Sequence, residues 1–67
     1  MNVELNRDRV AVGDDCKTLL QLLENEKLVR PGVAVAVNNR VVPRTLWAET
    51  PLTEGMKVTV IQAVCGG

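Results

Sequence analysis

The chain contains no histidine, no phenylalanine and no tyrosine, and a single tryptophan among its 67 residues. Without histidine the usual general base is missing, so a Ser or Cys triad is not expected. Two cysteines, Cys16 and Cys65, stand too far apart for a Cys-x-x-Cys pair, and with no histidine beside them they provide neither a zinc tetrad nor a disulfide framework. No catalytic residue and no metal ligand is therefore assigned. Eight basic and eight acidic side chains cancel to a formal charge of zero, which removes the electrostatic case for nucleic acid or an anionic membrane. One tryptophan cannot form a base-stacking platform either. The longest apolar run, residues 33–37, is far too short to span a bilayer, and the N-terminus has no basic segment leading into a long apolar one. A cytoplasmic protein is expected.

A chain of this length is read as one domain, 1–67, whose apolar residues must nearly all share one core to offset the entropy of folding. That core must be aliphatic, built from Val, Leu, Ile and Ala. Val3 and Leu5 alternate with Asn2, Glu4 and Asn6, the pattern of a half-buried strand. Val10 and Val12 repeat the alternation after Arg7-Asp8-Arg9, so the chain is expected to open with an antiparallel hairpin turning on that polar stretch.

Gly13-Asp14-Asp15 breaks the second strand and offers carboxylates to a helix start, and a helix of about three turns is predicted over 16–25. Its apolar stripe is expected to hold Cys16, Leu19, Leu20 and Leu23, with Leu22 at the edge. Pro31-Gly32 marks a loop, and the β-branched run 33–37 reads as a strand with Ala34 and Ala36 on its alternate face. Asn38-Asn39 reads as a tight turn, 40–42 as a returning strand stopped by Pro43, and 44–50 as an irregular or single-turn stretch carrying Trp47. After the turn cluster 51–55, a last strand is expected over 57–63, in the centre of the sheet beside the first. The order predicts an α+β fold, a mixed sheet of four to five strands with one main helix packed on one face.

Gly66-Gly67 follow this last strand. Glycine lacks a Cβ, so such a segment can thread a narrow channel and present a carboxylate to a nucleotide phosphate, or can simply be an idle end. Extended over 62–67, a tail reaches roughly 20 Å, enough to enter another protein.

Val35-Ala36-Val37-Asn38-Asn39, then Val42-Pro43-Arg44-Thr45-Leu46-Trp47, Leu52-Thr53-Glu54-Gly55 and Val60-Ile61-Gln62-Ala63-Val64-Cys65-Gly66-Gly67 make the chain resemble the β-grasp, ubiquitin-like sulfur carriers of the ThiS/MoaD family. Within them it is most similar to the thiamine-biosynthesis carriers, over essentially its whole length. Asn39 stands where glycine is common, Met56 where the pattern usually has Asp, and Cys65 where a small residue precedes the diglycine. The first two substitutions are expected to alter turn chemistry only.

The resemblance implies that the Gly67 carboxylate is adenylated by a ThiF-type enzyme that uses ATP. A persulfide sulfur donor then converts it to a thiocarboxylate, which delivers sulfur to a ThiG-type thiazole synthase. The protein would then be a cosubstrate and not an enzyme, with no cofactor of its own. Gly66, Cys65 and Val64 become the tail-recognition residues, and Ile61, Trp47 and Arg44 a possible partner surface. Cys65 could also capture the acyl or sulfur group as an accessory thiol. Trp47 with Arg44 is weighed against a packing cap over the sheet edge, and Ile61 against burial under the 44–50 stretch.

The rivals are the molybdopterin synthase small subunit, a ubiquitin-like modifier and a plain β-grasp interaction module. The first usually carries two prolines shortly before its diglycine, and residues 62–65 hold none.

Overall fold

The computed structural model describes residues 1–62. In chain order these form β1 (Asn2–Leu5), β2 (Asp8–Ala11), α1 (Leu19–Asn25), β3 (Val33–Val37), β4 (Arg40–Val42), a 3₁₀ helix (Arg44–Glu49) and β5 (Lys57–Gln62). The strands make one five-stranded mixed sheet in the order β2-β1-β5-β3-β4. β5 lies in the centre beside β1, as the sequence order predicts, and runs parallel to β1 and antiparallel to β3.

Alternation in the strands decides which face is dry. Val3, Leu5, Val35 and Val58 point to the helix side and are buried, joined there by Val12, Cys16, Leu19, Leu22, Leu23, Trp47, Leu52 and Met56. All of this core is aliphatic or sulfur-bearing apart from one indole.

The two hairpins turn on residues with positive φ. Register pairs Leu5 with Asp8, leaving Asn6 (φ 49°) and Arg7 (φ 73°) as a two-residue loop. It is tighter than the Arg7-Asp8-Arg9 turn expected, because Asp8 and Arg9 already pair within the ladder. Val37 pairs with Arg40 in the same way, leaving Asn38 (φ 50°) and Asn39 (φ 70°). Two-residue loops need positive φ at both positions to match the strands' twist, and asparagine tolerates it better than most residues, so Asn39 fills the place where glycine is common.

The helix departs from expectation at both its start and its phase. It begins at Leu19, not near Cys16, and spans seven residues. Thr18 is the cap: its hydroxyl accepts from the Gln21 amide at 3.2 Å, while Gln21 Oε1 accepts from the Thr18 and Lys17 amides at 3.1 and 2.7 Å. This reciprocal capping box satisfies more orphan donors than Asp14 or Asp15 would from further upstream. Residues 13–16 instead close a turn, Cys16 N–H donating to the Gly13 carbonyl at 3.0 Å. The buried stripe is Leu19, Leu22 and Leu23, and Leu20 is half-buried, because the 3₁₀ helix packs on α1 and rotates its dry face away from the one expected.

Met56 is more than a turn residue. Its side chain is buried and its carbonyl accepts from the Glu4 amide at 2.8 Å, so it joins the core where β5 meets β1.

Candidate functional site

The residues singled out in sequence fall into three places. Gly67, Gly66, Cys65 and Val64, the attachment and tail-recognition residues, lie outside the described residues, as does Ala63 at the end of the expected last strand. Ile61, one residue before the end of β5, lies on the sheet face opposite the helix. Arg44 and Trp47 lie on the 3₁₀ helix.

Trp47 is not a partner surface. Its ring is 1% exposed, its Nε1–H donates to the Val42 carbonyl at 2.9 Å, and it belongs to the core. An indole has too much apolar area to leave in water when a partner for its one N–H is at hand. Arg44 is exposed but already occupied. Its guanidinium carbon stands 4.9 Å from the centroid of the Trp47 ring, and its Nη2 donates to the Arg30 carbonyl. It ties the 26–32 loop to the 3₁₀ helix and stands over the indole, a packing role within the fold.

Ile61 behaves otherwise. It is 54% exposed, so the 44–50 stretch does not cover it. Register places it beside Ala34, and the next row along the sheet joins Thr59, Ala36 and Val41. Cross-strand partners point to the same face, so Ile61, Ala34, Ala36 and Val41 form one apolar patch on the open side of the sheet. Val41, 73% exposed, is its other large member. Sequence reading did not single out Val41, although Val42 turning inward before Pro43 forces its neighbour outward.

Beyond this patch the same face turns polar. Arg9, Glu4 and Lys57 make a row across β2, β1 and β5. Shallow depressions at this end are lined by Arg7, Arg9, Glu4 and Glu54 on one side and by Arg7, Asn39, Lys57 and Thr59 on the other. They are open and polar, unlike the mostly apolar clefts that hold small molecules.

Cys16 is buried, and its thiol is pushed above the ordinary value by loss of solvent, opposed in part by a hydrogen bond with the Asn25 side chain. A thiol so held stays protonated near neutral pH and is a poor nucleophile. Among the described residues no group of three His, Cys, Asp or Glu side chains is placed to hold a metal ion, and no helix is long and apolar enough to cross a membrane.

Comparison with known proteins gives this geometry its context. The family model of the ThiS family matches residues 2–67. The sulfur carrier protein ThiS of Escherichia coli strain K12 is 33% identical over 51 residues, 76% of this chain and 77% of that protein. The crystal structure of the thiamine biosynthesis protein ThiS from Geobacter metallireducens superposes with a TM-score of 0.83 at 25% identity, covering 100% of both chains. The shared fold is the β-grasp that the resemblance implies. By sequence and by fold together, the chain belongs to the ThiS family.

Proposed function

We propose that this protein is a sulfur carrier for thiazole formation in thiamine biosynthesis, and that the carboxylate of Gly67 is the group that carries the sulfur. The observation that carries the reading is the ThiS family match, which runs through the diglycine to residue 67. The likeness to a protein named as a sulfur carrier supports it.

The chemistry follows from what a carboxylate lacks. A free carboxylate is a poor electrophile, so a ThiF-type partner first joins it to the adenylyl group of ATP, releasing pyrophosphate. Sulfur from a protein persulfide then attacks the acyl carbon. AMP leaves, and reductive cleavage of the resulting acyl disulfide by a thiol frees the thiocarboxylate. That thiocarboxylate, anionic and soft, is the sulfur donor to a ThiG-type thiazole synthase. Catalysis and ATP binding belong to the partners, and the carrier is their shared substrate in the cytoplasm. Gly66, Cys65 and Val64 are the residues read by the partner's channel, where small side chains let backbone pass.

The docking surface is the apolar patch of Ile61, Val41, Ala34 and Ala36, and its occupant is the activating enzyme. Ile61 is on the strand that leads to Gly67, so an enzyme seated on this face is within one tail length, roughly 20 Å, of the carboxylate it must bind. Arg44 and Trp47 are not part of this surface.

Intact-protein mass spectrometry after incubation with ATP, a ThiF-type enzyme and a cysteine-derived persulfide source tests the reading. Replacement of one oxygen by sulfur, dependent on ATP and lost when Gly67 is deleted, is the expected result. Absence of the product, with an enzyme active on its own carrier, overturns it. Supplying the thiocarboxylate to thiazole synthase and to molybdopterin synthase large subunit separates the two acceptors.

A further inference from the structure

The parallel strands β1 and β5 differ in how far they run. The last paired residues are Leu5 and Val58, after which β1 turns away into the hairpin at Asn6 and Arg7. β5 continues to Gln62. On its β3 side it stays in register, Val60 with Val35 and Gln62 with Val33. On its β1 side the backbone ladder has ended.

Asn6 replaces the missing rung. Its amide N–H makes the last backbone bond, to the Val58 carbonyl at 2.9 Å, and its side-chain Oδ1 stands in for the next carbonyl by accepting from the Val60 N–H at 2.8 Å. The left-handed backbone at Asn6, φ 49°, turns the main chain out of the sheet while the side chain stays in line with it. Asn38 does the same at the other end of β5, with φ 50° and Oδ1 accepting from the Lys57 N–H at 3.1 Å. β5 is thus pegged at Lys57 and at Val60 by turn asparagines. Only the Asn6 peg lies on the side from which the chain proceeds to Gly67.

We infer that Asn6 is a positioning residue for activation of the Gly67 carboxylate: its side-chain amide holds Val60 where the β1 ladder has ended, and so steadies the strand that precedes residues 63–67. This rests on the carrier reading. It predicts that Asn6 affects how well the carboxylate is presented once the carrier is docked, not how tightly it docks.

Three variants isolate the peg. Asn6→Gly keeps the freedom to adopt positive φ and removes the acceptor, Asn6→Asp restores an acceptor, and Asn38→Gly makes the same loss at the far end. Each is first checked to be folded by the fluorescence of the buried Trp47. Amide hydrogen exchange is then read at Val60, and kcat and KM are read for adenylation with the carrier as varied substrate. Asn6→Gly is expected to speed exchange at Val60 roughly five- to tenfold, the worth of one hydrogen bond. It is expected to lower kcat about fivefold with KM unchanged. Asn6→Asp recovers both, and Asn38→Gly changes neither. Unaltered exchange at Val60 in Asn6→Gly, or a kcat equal to that of Asn38→Gly, overturns the inference. A wild-type chain that forms no adenylate overturns the carrier reading beneath it.

Discussion

Leu20 and Leu23 are three residues apart on α1, yet the packing gives them different weights. Leu23 is 0% exposed, enclosed between the sheet and the segments that cover the helix, whereas Leu20 only packs against the rim of the core. Leu23→Ala should cost about 3 kcal/mol, the transfer term of the lost side chain plus the cavity it leaves, and Leu20→Ala about 1 kcal/mol. A domain of this size has a total stability of roughly 3–10 kcal/mol, so the first change removes a large part of it. In thermal melts Leu23→Ala should fall by about 12–24 °C and Leu20→Ala by about 4–8 °C. Urea titration followed by far-UV circular dichroism and by fluorescence of the buried Trp47 gives two independent readings of one transition. Equal costs at positions 20 and 23, or a smaller cost for Leu22→Ala than for Leu20→Ala, would refute the assignment of the helix face.

Two other predictions test the surface and the buried thiol. Ile61→Asp and Val41→Asp should each raise the KM of the activating enzyme about tenfold while shifting stability by less than about 1 kcal/mol, since both side chains are largely exposed; unchanged KM in both would remove the patch from the docking surface. Cys16 has its thiol pushed up by burial, so above pH 9.0, its ordinary value, the unfolded chain ionises first and binds fewer protons than the native one. Stability should therefore be level below that pH and fall above it, and Cys16→Ala should lose this extra alkaline slope in urea titrations from pH 7 to 10. An identical slope in the variant would show that the thiol is not held neutral by the fold.

Much of the sheet is legible because alternation is a local signal that burial then obeys. Val3 and Leu5, Val33 to Val37 and Val58 read as strands in the sequence and are strands, and Asn38-Asn39 reads as the turn it is. The helix was harder for a physical reason. Its segment holds four leucines in Leu19-Leu20-Gln21-Leu22-Leu23, which satisfy two neighbouring helical stripes equally well. Contact with the 3₁₀ helix chooses between them, and that contact is tertiary. The Asp14 and Asp15 carboxylates marked the start too early, and the cap is Thr18 with Gln21, whose side chains serve each other. Met56 looked like turn substitution alone because its role in the core depends on β1 and β5 meeting across the whole chain. In the candidate site, Ile61 was found from alternation. Val41 needed the register of three strands, and the burial of Trp47 needed the Val42 carbonyl that receives its N–H.

The position of β5 bears on why a carrier should have this topology. An edge strand is held from one side and frays easily, so a reactive group carried on its extension would be poorly aimed. β5 is held by β3 along its length and by β1 at its start, and Asn6 adds the last contact on the side where β1 ends. The same strand places Ile61 in the open apolar patch. A partner that grips that patch is therefore gripping the strand that leads to the carboxylate, with five residues between Ile61 and Gly67. Each link between docking and delivery is then either a paired strand or a short stretch of covalent chain. Substitutions on the helix side should change stability while leaving the efficiency of activation per folded molecule untouched. Substitutions at Ile61 should do the reverse, and those at Asn6 should lower activation together with the local protection of Val60.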